Sequence, residues 1–221
     1  MMEFYLREIY PWLISLSSIS IGIPLLAGVL LITKRNSLLF KLILLYISYV
    51  ALSEVVGELT IYLGTSNNLW INHLDTPIEF ILIATTYYVS FKQKPLKYGV
   101  VAAAVGFGAF CILGLFWGED VTQMNSTPRI VAAVLLIAMA VLYFYQTANE
   151  VNYTYLDRDP MFLLSSGIII YQAGTSMAYS MFNAALAESY DSARMCITVI
   201  LVLNILFRIT LMLAIRRTPL A

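Results

Sequence analysis

Long apolar runs alternate with short polar connections along the whole chain. Seven mainly apolar windows lie at roughly 10–33, 38–63, 70–91, 98–117, 129–149, 161–185 and 194–215. Each is close to or above the roughly 20 residues that a helix needs to cross a bilayer. Between them stand KRNS, GTSNN, KQKPLK, GEDVTQMNSTP, NEVNYTYLDRDP and AESYDSAR, all carrying turn or polar residues. The pattern predicts an all-α membrane protein in which residues 1–221 form a single domain of seven transmembrane helices. The connections leave no room for a soluble catalytic or output domain.

Polar residues also fall inside the apolar windows, and their spacing is regular. In the second window Glu54 and Glu58 are four apart, so they project from one helix face. In the third, Asn72, Asp75, Glu79 and Thr86 follow at steps of three, four and seven and form a second stripe. At about 1.5 Å per residue, Glu54 and Glu79 both lie roughly 14 Å below their helix ends, and Glu58 and Asp75 roughly 8 Å below. Two hairpin-connected helices are therefore expected to offer acids at matched depths. A carboxylate facing lipid is unfavourable, so such groups normally face the bundle interior or a water-filled cavity and mark a function. For Asp75 and Glu58, nearer the interface, solvation or helix capping is the competing role; Asp75 precedes Thr76-Pro77 and would cap the helix, with Pro77 in its first turn.

Composition supports the membrane assignment. The chain is 60% hydrophobic and only 12% charged, against about a quarter charged in soluble domains. The counts of Lys and Arg near helix ends set the orientation. Lys34, Arg35, Lys41, Lys92, Lys94, Lys97, Arg158, Arg216 and Arg217 fall on one side; only Arg7, Arg129 and Arg194 fall on the other. This bias predicts a cytoplasmic C-terminus and an external N-terminus. The opening MMEFYLREIYPW is no basic signal-peptide region, and the first helix is expected to be retained. A shift of about 122 residues superimposes helices one to three on five to seven, which suggests two parallel repeats around helix four, a three-plus-one-plus-three layout. Even spacing of any seven spans would give a similar overlap.

Other candidates follow from position. His73, the one histidine, stands between Asn72 and Asp75, where it would form a proton-responsive rim together with Asn68, or serve structure alone. Tyr171 and Gln172 in helix six and Asn204 in helix seven are possible opposite walls, or ordinary interhelical hydrogen-bonding groups. Arg208 either snorkels to the cytoplasmic end or pairs with a buried acid. Trp70 and Trp117 suit the interfacial belt.

Several classes lose their support. Zero net charge and the lack of a basic, aromatic-interleaved patch argue against nucleic acid. One histidine, with no HExxH or paired-cysteine set, argues against a zinc or haem site, and no cofactor or metal is expected. Neither G-x-S-x-G nor a Walker-type loop is present. Every lysine lies at a helix end or connection, so a retinal Schiff base has no candidate.

Ser53-Glu54 in helix two, followed by Asn67, Asn68, Trp70, His73, Ile78, Glu79 and Phe80 at the start of helix three, resembles a widespread family of uncharacterised bacterial seven-helix membrane proteins. The resemblance spans nearly the whole chain in helix count and about 30 residues in motif. It implies a site at these positions and a bacterial inner membrane, without naming an activity. In architecture alone the chain is similar to the sugar-facilitator and PQ-loop transporters and to opsin-like three-plus-one-plus-three folds, but it lacks the paired prolines of the transporters.

The functional expectation is a protein that binds a small polar or cationic ligand, or protons, in an outward-opening intramembrane pocket. The site is Glu54, Glu58, Asn68, His73, Asp75, Glu79, Tyr171, Gln172 and Asn204. It would serve as a transporter or as a sensor, with transport slightly favoured and enzymatic activity disfavoured. Partners beyond lipid and ligand would be a membrane protein or a second copy of the chain, the latter through Ala102, Ala103, Ala104, Gly106, Gly108 and Ala109 in helix four. The alternatives are a subunit of a membrane complex and an intramembrane acid-base enzyme acting on a lipid or isoprenoid.

Overall fold

The structure, a computed structural model, describes residues 4–65, 68–116, 123–149 and 155–220. Asn67 and Trp117 lie outside these residues. Among the described residues every long element is a helix: α1 (Tyr5–Leu31), α2 (Leu38–Tyr62), α3 (Leu69–Ser90), α4 (Lys94–Phe116), α5 (Ser126–Asn149), α6 (Pro160–Glu188) and α7 (Tyr190–Arg217). They occupy the predicted windows to within a few residues. Ser37 caps α2 by accepting from the Phe40 N–H at 3.2 Å, Asp159 caps α6 through Met161, and Ser189 caps α7 through Ser192.

Six helices, α1, α2 and α4 to α7, are long and apolar enough to cross a membrane, and the protein is an integral membrane protein. The sequence of α3 is of spanning length, 22 residues, but it carries Asn72, His73, Asp75 and Glu79. That helix packs between α2, α4 and α5, while α7 packs on α1, α2 and α6. The most extensive contact joins α6 to α7. Glycine permits it: a Cβ at Gly174 would meet Leu203 Cδ1 at 2.5 Å, and one at Gly167 would press on Thr210 and Phe207.

Helix α1 is interrupted at Ile21. Pro24 cannot donate to the Ser20 carbonyl, and the Ile21 N–H turns to Ile19 instead of completing the bond to Ser17. The Ser17 carbonyl is thereby available inside the bundle.

One end of the bundle is filled by an apolar plug. Phe40, Ile43 and Ile47 from the start of α2 meet Ile83 and Tyr87 late in α3, Leu136 and Met139 of α5, Met161 and Ile168 early in α6, and Leu211 and Ile215 late in α7. Lipid tails are as apolar as these side chains, so close packing rather than exclusion of water holds the plug together. The opposite half holds a smaller apolar cluster, built from Met124, Ala178, Phe182, Ala193 and Ile200, and beside it an open cavity.

Candidate functional site

In that half, five helices turn polar faces toward one another around a cavity of about 230 Å³. Tyr46, Val50, Ser53, Gly57 and Ile61 of α2 recur at steps of three and four, with Glu54 and Glu58 alongside. Asn72, Asp75 and Glu79 form the α3 wall; Asn204, Phe207, Arg208 and Leu211 form that of α7. Arg129 enters from the first turn of α5, and Tyr171 and Tyr179 from α6. The mouth lies where α2 ends and α3 begins, marked by exposed Glu58 and by Asn68, whose amide rests over Gly57.

At one side of the cavity Arg208 is engaged through both terminal nitrogens. Its Nη2 pairs with Glu54 Oε1, and its Nη1 donates to the Ser17 carbonyl and, at 3.0 Å, to Ser20 Oγ. The interruption of α1 supplies that carbonyl. Arg208 is 5% exposed and Glu54 30%, so the pair is partly sheltered and ties α1, α2 and α7 together. Of the two roles expected for Arg208, pairing is the one observed.

The side formed by α3, α5 and α6 is organised differently. Asp75 accepts from Tyr49 at 2.5 Å and from Ser53 at 2.6 Å, one donor to each oxygen. Glu79, one turn farther in, has a single long contact from the Tyr46 hydroxyl at 3.5 Å. Asn125 donates from Nδ2 to the Asn72 carbonyl and Thr76 Oγ1, both at 2.7 Å, while Ser126 donates to the Tyr179 carbonyl at 2.6 Å. These bonds fix the start of α5 against α3 and α6 and so place Arg129. Its Nη2 donates to Asn72 Oδ1 at 2.8 Å, and its guanidinium lies 4.6 Å from the centre of the Tyr179 ring. The buried Nε has no hydrogen-bond partner among the described residues.

Seven of the nine expected residues line the cavity: Glu54, Glu58, Asn68, Asp75, Glu79, Tyr171 and Asn204. His73 does not. It projects from another face of α3, with Nε2 3.1 Å from the Gln123 carbonyl. Gln172 also misses the main cavity and lines a water-sized pocket of about 20 Å³ beside it, which shares Glu79 and Arg129. The capping role for Asp75 is overturned: α3 starts at Leu69, six residues earlier, and Pro77 lies inside the helix. Matched depths also fail. The short Ser53 side chain puts Asp75 level with Glu54, leaving Glu79 about one turn deeper, because the ends of α2 and α3 are not at equal height.

Arg129, expected only as an outer-end charge, and Tyr46, Tyr49 and Tyr179 were not anticipated from the sequence, whereas Tyr171 was. The extension of the Glu54 face back through Val50 was a signal for Tyr46. For Arg129, a first-turn arginine before an apolar run, no sequence signal pointed inward. Among the described residues no group of three or more His, Cys, Asp or Glu side chains is placed to hold a metal ion.

Fold and site together define the class: an integral membrane helical bundle with a charged cavity between its helices. Comparison with protein-family models, curated proteins and solved structures finds no match to the chain.

Proposed function

We propose that this protein binds a small polar or cationic ligand in the cavity between α2, α3, α5, α6 and α7, as a transporter or as a sensor. The observation that carries the reading is the juxtaposition of Glu54, Asp75, Glu79, Arg129 and Arg208 around one open volume. Ionisable groups inside a bundle are disfavoured unless paired or used, and Glu79 is the acid with the least support from its neighbours. The volume exceeds the roughly 30 Å³ of one water and is smaller than the roughly 300–1,000 Å³ of drug-sized sites, which suits a metabolite.

In this reading α3 is the seventh span. Its 22 residues extend about 33 Å at 1.5 Å each, and its polar stripe faces the cavity. The excess of Lys and Arg puts the plugged end in the cytoplasm and the mouth outside, in a bacterial inner membrane of the kind the motif resemblance implies. Helix α4, packed chiefly on α3 and α5, suits the connector of two three-helix repeats. A plug at one end and a mouth at the other fit one state of an alternating-access cycle, which favours transport over sensing.

A second reading, a subunit of a membrane complex or a homo-oligomer, draws on α4. Ala102, Gly106 and Ala109 are exposed, and a Cβ at Gly106 would meet nothing within 4 Å.

The test is mass spectrometry of small molecules retained by detergent-purified wild type and by Glu79→Gln. A compound kept by the wild type and lost from a folded variant supports the pocket; identical profiles, empty or not, count against it.

A further inference from the structure

We infer that the ligand of this cavity is a zwitterion, a small molecule that presents an ammonium group to Glu79 and a carboxylate to Arg129. The inference rests on the binding reading above and narrows it to one chemical class.

The argument starts from hydrogen-bonding capacity. Ionised Glu79 has two acceptor oxygens with about four lone-pair sites, and the structure gives it one contact at 3.5 Å. Arg129 has five N–H donors; one reaches Asn72 Oδ1, and the buried Nε reaches nothing. Both side chains line the main cavity, and both also line the small pocket beside it. They lie within electrostatic range, yet no salt bridge joins them among the described residues.

Opposite charges that share a sheltered cavity attract strongly. Free side chains would close on each other. Here Arg129 is held back by Asn72 and by the Tyr179 ring, and α5 is pinned by Asn125 and Ser126. The two charges are thus kept apart with donors and acceptors still open, which is preorganisation for a partner that carries both complements.

The other charges are less available for that role: Arg208 pairs with Glu54, both oxygens of Asp75 take hydroxyl donors, and Glu58 lies exposed at the mouth. A ligand with a cation alone would leave Arg129 beside it as a repulsive neighbour, and an anion alone would meet Glu79 in the same way.

The test is binding to the detergent-purified full chain, read by titration calorimetry and thermal shift. The probes are 4-aminobutyrate with butylamine and butyrate, and leucine with leucine methyl ester and N-acetyl-leucine. The expected result is that at least one zwitterion binds on the order of ten-fold tighter than both of its single-charge counterparts. Arg129→Gln should remove that advantage, weakening the zwitterion and the carboxylate-only counterpart while the amine-only counterpart, freed of a repulsive neighbour, binds more tightly, and Arg129→Lys, which keeps the charge, should retain part of it. Equal binding of an amine-only probe, with Arg129→Gln silent, overturns the zwitterion and leaves the cavity a cation site. If no probe binds, the compound that co-purifies with the wild type decides: one bearing both charges supports the inference, and one lacking either overturns it while the pocket stands. Absence of any retained compound, together with no probe binding, overturns both readings.

Discussion

The two arginines of the cavity are handled in opposite ways. Arg208, on the side of α1 and α7, meets a carboxylate, a carbonyl and a hydroxyl, all supplied by the protein. Arg129, on the side of α3 and α6, meets one amide oxygen and one aromatic face and keeps a buried Nε without a partner. Their acids follow suit, since Glu54 is paired and Glu79 is nearly bare. A charged group whose needs are met internally reads as architecture; one held in place with its needs unmet reads as a place for something else. The difference separates structural from functional charge within one cavity, which residue type alone could not do.

The largest expected effect on stability is at the engaged arginine. Arg208→Leu strands Glu54, while the Ser17 carbonyl keeps its donor from Ser20 Oγ, and breaking a sheltered ion pair from one side is destabilising by about 3–5 kcal/mol. Thermal unfolding in detergent should show a severe loss, and the double variant Glu54→Gln, Arg208→Gln should recover a substantial part because no lone charge remains. A mild single variant would mean that Arg208 is not the structural member of the two.

Next comes Tyr49→Phe, which leaves one Asp75 oxygen without its hydroxyl donor. Interhelical hydrogen bonds in membranes contribute about 1 kcal/mol, so a drop in unfolding temperature well short of that at Arg208 is expected. Adding Ser53→Ala should deepen it. If neither change matters, Asp75 belongs with Glu79 among the under-supported groups, and the dividing line must be redrawn.

The dividing line was only partly legible in the sequence. Helix boundaries and the inward faces of α2 and α3 follow from hydropathy and from three- and four-residue spacing, which is why Glu54, Asp75 and Glu79 could be picked out. Axial register could not, because it depends on how high each helix sits: Asp75 proved level with Ser53, not with Glu58. Nor could the state of each charge. Arg208 meets Ser17 only because α1 breaks near Pro24, and Arg129 turns inward only because Asn125 and Ser126 fix its helix, both of them contacts across 50 or more positions of chain. His73 misled for a related reason: adjacency to Asn72 in sequence is about 100° of rotation on a helix.

That error supplies a control. His73→Ala removes the contact to the Gln123 carbonyl, a hydrogen bond whose net contribution is about 0.5–1.5 kcal/mol. Stability should fall slightly and the retained small molecules should not change. A lost ligand would return His73 to the site and weaken the contrast between the two sides of the cavity.

The smallest expected effect on stability is the most informative. Glu79→Gln deletes a charge that the protein hardly supports: the Tyr46 contact is long, the shape is unchanged, and no salt bridge within the described residues is broken. Removing the carboxylate from a sheltered site relieves its desolvation, which offsets the lost attraction to Arg129, so the unfolding temperature should change little. Binding should nevertheless fall on the order of ten-fold or more, as a charge-assisted contact to the ligand is lost. The combination of unchanged stability with lost binding is the signature of a group kept for a ligand. If instead Glu79→Gln destabilises the protein as Arg208→Leu does, Glu79 is structural after all, and the two sides of the cavity differ in geometry without differing in purpose.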